Sequence, residues 1–234
     1  MDERRLEQLP TTPEFPALTR EDLEEIKVLF ERLHKKFDRR YNLLKAPGFK
    51  AYTGLNIAVG EGNDHYNSQE TFHQLLYTLA VTRHPLVKKL VEPEFDASTF
   101  DAKTLVESRI MSGMKILDLG SGPKPVFARC CRAMDSDVWT VNEKPEYGVL
   151  DFRKNRGLLP KKQCDLEDQH HIELTLNNIS AVPIIKEKSG GDFNLATEAN
   201  LDRLGGARDI ALLLLKKGGI YFRTNEGASP NLKE

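Results

Sequence analysis

The stretch from Met114 to Met134, MKILDLGSGPKPVFARCCRAM, constrains the fold more than any other part of the chain. It opens with an apolar run, Ile116, Leu117 and Leu119, broken by a single acid, Asp118. Gly120, Ser121, Gly122 and Pro123 follow, and apolar residues then resume at helical spacing at Val126, Phe127, Cys130, Cys131 and Met134. An apolar strand, a glycine turn and a helix in that order make half of a parallel strand–helix–strand unit. Glycine in such a turn lets a ligand touch the backbone where a Cβ would collide. Pro125 suits the first helical turn, where its missing N–H costs nothing. The helix start then points unpaired N–H groups at whatever lies over the loop.

Upstream, residues 1–18 hold Pro10, Pro13 and Pro16 and read as an extended arm. Thr19 and Asp22 have the spacing of a capping box. An amphipathic helix follows, with Leu23, Ile26, Phe30, Leu33, Phe37, Tyr41 and Leu44 spaced by three and four. Its acids gather at the start and its bases, Lys35, Lys36, Arg39 and Arg40, towards the end, which complements the helix dipole. Residues 45–67 read as a structured loop. A second helix is predicted from Asn67 or Ser68, with Phe72, Leu75, Leu76 and Leu79 inward. It breaks at His84-Pro85 and is followed by a short helix over Leu86–Val91 and a third over Ser98–Met111. Downstream, Asp135–Asp137 is a predicted turn and Val138–Val141 a strand. Pro145–Asn155 is a predicted helix, and 172–179 fits strand or helix. Ser189-Gly190-Gly191 is a turn, Asp192–Glu198 a strand and Asn200–Lys216 a helix. Lys217-Gly218-Gly219 introduces a last strand over Ile220–Thr224.

The run Asp118-Leu-Gly120-Ser-Gly122-Pro resembles motif I, (D/E)-x-G-x-G-x-G, of the class I S-adenosylmethionine (SAM) dependent methyltransferases. It does not fit the dinucleotide spacing G-x-G-x-x-G, because Pro125 stands three residues after Gly122. It departs from the methyltransferase pattern at its third glycine, which is Lys124 here. The resemblance covers about residues 103–225 and is supported by the Lys217–Thr224 segment, which is similar to the family's fifth strand. It implies an α/β fold, a Rossmann-like methyltransferase sheet with helices on both faces, preceded by a mainly helical N-terminal region. The expected organisation is an arm over 1–18, a helical cap over 19–111 and a SAM-binding domain over 112–234. The usual domain continues through a further helix and an antiparallel strand pair, so either the sheet is reduced or the C-terminus is truncated.

The same resemblance implies a cofactor, SAM, and its contacts: Asp118, Gly120, Ser121, Gly122 and Pro123 at motif I. Glu143, about 25 residues on at the tip of the second strand, is the implied ribose partner. Asp165 and Leu166 stand where the family faces the adenine. Methyl transfer is an in-line displacement that needs alignment and does not oblige a base. The candidates for a catalytic role are Glu198, at the end of the presumed fourth strand, and Asn200; strand-end and capping roles suit both equally. His65, Tyr66 and His73 are candidate substrate contacts from a lid, with exposed surface histidines as the alternative. His170-His171 reads as solvated surface. No metal-ligand spacing is present.

The readings of function are three: methylation of a small molecule, which is favoured; methylation of RNA or protein, with Lys35 to Lys50 as the electrostatic footprint; or a non-catalytic methyltransferase-like binding module. A formal net charge of −1 gives no global field for nucleic acid or membrane. No apolar run reaches the ~18 residues of a membrane span. Three cysteines without metal spacing fit a reducing compartment, cytoplasmic or nuclear.

Overall fold

The computed structural model describes residues 14–37, 41, 43–46, 64–121, 125–142, 169–176, 178–198, 206–224 and 230–233, with backbone only at 45 and over 64–69. Six strands form one sheet: β1 Lys115–Leu119, β2 Asp137–Asn142, β3 His171–Glu173, β4 Phe193–Glu198, β5 Leu215–Arg223 and β6 Asn231–Leu232. Their order is β3-β2-β1-β4-β5-β6, and every neighbouring pair is parallel except β5 with β6. This is a Rossmann-like α/β sheet. The strand order reverses between β1 and β4, so the crevice at the carboxyl end of β1 is its topological switch point.

The described helices are α1 Arg20–Lys36, α2 Asp64–Thr82, α3 Pro85–Leu90, α4 Lys103–Glu107, α5 Val126–Ala133, α6 Ala181–Ser189 and α7 Ala207–Leu214. Local chemistry sets many of their ends. Thr19 and Asp22 close a full capping box on α1. The Nδ1 of His84 accepts from the Leu86 N–H at 3.1 Å while Pro85 opens α3. Gly190 ends α6 at φ +78°. Pro125 stands at the N-cap of α5, one place ahead of the helix proper.

Several boundaries differ from the sequence reading. α2 begins at Asp64, three residues ahead of Asn67. The helix predicted over Ser98–Met111 is a 3-10 turn at Ala97–Thr99 followed by the five-residue α4. The ambiguous 172–179 region holds the edge strand β3, and α6 follows it. The helix predicted over Pro145–Asn155 and the third-strand tip at Asp165 lie outside the described residues.

Each face of the sheet has its own core. Ile116, Val138, Leu195, Ile220 and Phe222 pack with apolar residues of α1 to α5. Leu117, Leu119, Val141, Ile172 and Tyr221 pack with those of α6 and α7. The orientation of α2 follows from its contacts. Gln74 bonds Asp118 and Thr197 near the carboxyl ends of β1 and β4. Arg83, just past the other end of α2, pairs with Asp22 at the start of α1. The Leu18 N–H, ahead of α1, donates to the carbonyl of Gly218 in the first half of β5 at 3.0 Å. α2 therefore runs antiparallel to the strands. Its first ten residues, 64–73, continue past the level of Asp118 for roughly 15 Å at 1.5 Å per residue.

The largest departure is at β5, which begins at Leu215 instead of Ile220, directly after α7. Gly218 takes φ +72° inside the strand, beside an irregular register between Phe193 and Leu195. The bulge has bonding partners on both sides: Leu18 on one, and on the other Lys233, which accepts from the Gly218 N–H and donates to the Gly219 carbonyl, both at 2.9 Å. A chain that satisfies its backbone groups this way has no need of the predicted last helical turn. A Cβ on Gly218 would lie 2.8 Å from both the Cβ of Ala17 and the backbone nitrogen of Leu18. Gly218→Ala is therefore expected to destabilise the fold by about 1–3 kcal/mol, the cost of a non-glycine residue in this region of φ. Urea unfolding checks this, and an unchanged midpoint would refute it.

Candidate functional site

Register decides which side chains meet at the carboxyl end of the sheet. Asp118 of β1 is paired with Thr140 of β2 and with Thr197 of β4, and Thr197 is paired with Phe222 of β5. Partners in a parallel ladder share a face, so these four form one row turned towards α2 and α5. Asp118 is only 2% exposed. Its Oδ1 accepts from the Gln74 amide nitrogen at 3.2 Å and from the Thr197 hydroxyl at 3.4 Å. The same amide nitrogen donates to Thr197 Oγ1 at 3.0 Å, closing a buried triangle. Asp118 Oδ2 receives no hydrogen bond from the described residues. Burial pushes the Asp118 carboxyl up to about 7, against the bonds from Gln74 and Thr197 and the charge of Arg132, which pull it down.

Two residues on, Gly120 turns the chain out of β1 at φ +73°. Its N–H donates to the Val141 carbonyl at 2.8 Å, and the Ser121 N–H reaches the same oxygen at 3.3 Å, tying the loop to the end of β2. The Ser121 Oγ is buried and finds no partner among the described residues. Tyr77, one turn along α2 from Gln74, lies stacked on Phe222 with centroids 4.2 Å apart. Its hydroxyl is likewise buried without a partner among the described residues, and burial pushes the phenol above its ordinary value. Thr71, Gln74 and Thr78 make a polar stripe down the buried face of α2. That stripe was a signal available in the sequence, where the inward set was read as apolar only.

Glu198 belongs to the next row, which points to the opposite face. It is 3% exposed. The Tyr221 hydroxyl donates to its Oε2, and the Arg223 Nε lies 2.9 Å from its Oε1. His73 is on α2 but turns towards α1, where its Nε2 lies 3.0 Å from that of His34. Burial and the His34 charge both hold His73 below the ordinary imidazole value. The helix backbone at His65 and Tyr66 is described, their side chains are not; Gly122, Pro123, Glu143, Asp165, Leu166 and Asn200 lie outside the described residues. His170 and His171 are not solvated surface. The His170 ring stacks on Trp139 at 4.4 Å with 11° between planes and pairs with Asp137 at 3.2 Å. The Nδ1 of His171 lies 2.8 Å from Thr140 Oγ1. The two rings diverge, one onto Trp139 and the other onto Thr140, and both are half-buried against β2 instead of solvated.

No protein-family model and no curated protein matches the chain. Among solved structures it is similar to a precorrin-6y C5,15-methyltransferase from Geobacter metallireducens GS-15, at 14% identity and a TM-score of 0.33 over 55% of this chain and 62% of that one. It is similar to a SAM-dependent methyltransferase from Geobacter sulfurreducens in complex with S-adenosyl-L-homocysteine, at 16% identity and 0.32 over 47% and 41%. The MycE methyltransferase of the mycinamycin biosynthetic pathway, in complex with Mg and S-adenosyl-L-homocysteine, is similar at 11% identity and 0.33 over 71% and 44%. The chain spans less than two thirds of the length of each. Among the described residues no group of three or more His, Cys, Asp or Glu side chains is placed to hold a metal, and no helix is long and apolar enough to cross a membrane.

The raised Asp118 carboxyl has a measurable consequence. Its folded-state value, about 7, lies above the ordinary 3.8, so between those pH values the folded chain keeps a proton that the unfolded chain has lost. Stability therefore falls as pH rises through about 7. Asp118→Asn preserves an oxygen that accepts from Gln74 and Thr197 and cannot ionise. It is expected to be more stable than the wild type at pH 8, with the advantage shrinking as pH falls to 5. Thermal unfolding across that range measures it, and an Asn variant less stable at pH 8 would refute it.

Proposed function

We propose that the chain transfers a methyl group from SAM to a small-molecule acceptor. The observation that carries this reading is the buried Asp118, one oxygen without a partner among the described residues, two residues before a glycine turn at the switch point of the sheet. A buried carboxyl of this kind suits a cationic group, and a backbone at positive φ without a Cβ admits close approach. SAM carries an ammonium and a sulfonium, and supplies an activated methyl group for in-line displacement.

Asp118, Gly120 and Ser121 hold the methionine end in this reading, with Gly122 and Pro123 completing the loop. Glu143 takes the ribose hydroxyls, and Asp165 and Leu166 face the adenine. The first turns of α2 supply the wall that keeps water from the methyl group. Glu198 and Asn200 remain the candidates for orienting the acceptor; Tyr221 and Arg223 hold the Glu198 carboxylate in one direction. The division into an arm over 1–18, a helical cap over 19–111 and a SAM-binding domain over 112–234 belongs to the same proposal, with the cap covering the acceptor.

Equilibrium dialysis with labelled SAM tests the reading directly. Binding is expected, and its absence at millimolar ligand ends the enzyme hypothesis. Glu143→Ala is expected to weaken binding by about 1.5–3 kcal/mol, the range for bonds to a charged group. Gly122→Val is expected to abolish binding without altering the far-ultraviolet circular dichroism. An unchanged SAM affinity in Glu143→Ala would remove Glu143 from the site, and in Gly122→Val would remove motif I.

A further inference from the structure

We propose that Gln74 is a positioning residue of this site: together with Thr197 it occupies Oδ1 of Asp118 and leaves Oδ2 as the oxygen that receives a cationic ligand group. The inference rests on the methyl-transfer reading for the ligand, whose methionine end carries an ammonium.

The protons available decide which oxygen of Asp118 stays open. A primary amide has two to give and a hydroxyl one. Gln74 gives one to Asp118 Oδ1 at 3.2 Å and one to Thr197 Oγ1 at 3.0 Å. Thr197 gives its own to Asp118 Oδ1 at 3.4 Å. Oδ1 thus accepts twice. When Asp118 is neutral its proton sits on Oδ2, the oxygen that no described residue touches. A ligand ammonium that binds Oδ2 displaces that proton: a carboxylic acid and an ammonium become a carboxylate–ammonium pair, and one proton leaves for solvent. Burying a primary amide that does nothing for the fold is costly, and Gln74 lies at 2% exposure among Leu75, Leu76 and Leu79.

Other ionisable groups lie on every element around Asp118. α5 carries Arg129, Cys130, Cys131 and Arg132, and α2 carries Glu70, His73 and Tyr77. His171 reaches Thr140 from the β3 side, Asp137 opens β2, and Glu198 points to the far face from β4. The Arg132 charge favours the carboxylate; burial keeps both thiols neutral.

The test is isothermal titration of S-adenosylhomocysteine into the full chain from pH 6 to 8.5, in phosphate and in Tris, whose ionisation heats differ. Wild-type binding is expected to release up to about one proton below pH 7 and none at pH 8.5, with affinity rising through the Asp118 midpoint. Gln74→Leu removes a bond that favours the carboxylate, so that midpoint is expected to move up by roughly one pH unit and affinity at pH 7 to fall roughly fivefold. Thr197→Val should move it the same way by less, and Asp118→Asn should show neither proton release nor pH dependence. A staple with no part in positioning would weaken binding equally at all pH with the midpoint unmoved. That result, or wild-type affinity in Gln74→Leu, overturns the role of Gln74 alone. No binding by the wild type at millimolar ligand overturns the methyl-transfer reading and, with it, the ligand named here. If Gln74→Leu fails to fold, Thr197→Val and a carbon-13 titration of the Asp118 carboxyl carry the same comparison.

Discussion

The triangle of Gln74, Asp118 and Thr197 is the interaction on which the arrangement of this molecule depends. It joins three elements remote in sequence, α2, β1 and β4, at the one level of the sheet where a ligand is handled in folds of this kind. Apolar contacts alone would let α2 slide along the sheet, since leucines at several levels make equivalent packing. A buried amide with two fixed acceptors does not slide, because any displacement leaves a polar group unpaired at a cost of about 1–3 kcal/mol. The triangle therefore sets how far the first turns of α2 extend past the carboxyl edge. The salt bridges of Arg83 and Lys88 to Asp22 and Glu25 tie the far end of α2 and α3 to α1 and leave that height free.

A second constraint comes from the two-residue period of the strands. Asp118 and Glu198 both read in the sequence as acids at strand ends. The ladder pairs Glu198 with Leu119, one residue beyond Asp118, so the two carboxyls point to opposite faces. They belong to different environments. Asp118 sits under α2 with neutral donors on one oxygen, and Glu198 sits on the α7 side against Arg223 and Tyr221. Two acids in one cleft would contest a proton; two acids divided by a sheet titrate independently.

Much of this architecture was legible in the residues because it is local. A glycine turn after an apolar strand, a Thr–Asp capping box, a proline after a histidine and a glycine pair after a helix each act within a few residues, and β1, β4, α3 and the start of α1 follow from them; α1 itself ends at Lys36, short of the Tyr41 and Leu44 that its spacing includes. Motif I located the switch point, since the chain must turn sharply there. What was not legible is long-range. The bulge that starts β5 at Leu215 depends on Leu18 and Lys233, far away along the chain. The roles of Gln74 and Thr197 depend on Asp118, and the packing of His170 depends on Trp139 across a strand pair. Periodicity ranks residues by hydrophobicity and so reports an amide inside an apolar face as noise. Here that amide was the informative residue. Short elements failed for a related reason: α4, at five residues, has too few positions for a period to declare itself.

Among the described residues, buried polar atoms without a hydrogen-bond partner occur at both ends of the sheet, with Ser136 Oγ just ahead of β2 and Ser121 Oγ just after β1. At the amino end the N-terminal segment, the β5 bulge and Lys233 exchange backbone hydrogen bonds, and Lys216 gives its ammonium to the Phe15 carbonyl at 2.7 Å. At the carboxyl end Asp118 Oδ2, Ser121 Oγ and the Tyr77 hydroxyl are buried or nearly so, and none finds a partner among the described residues. Folding alone gives no reason for this. A buried polar atom left unpaired costs free energy, and a chain selected for stability alone would fill such positions with apolar groups of the same shape. Asp118 Oδ2 and Ser121 Oγ, on either side of the glycine turn at a topological switch point, are polar atoms that no described residue uses. In the methyl-transfer reading proposed above, the complement of these atoms is a ligand with a cation and hydroxyl groups, brought in under the overhang of α2.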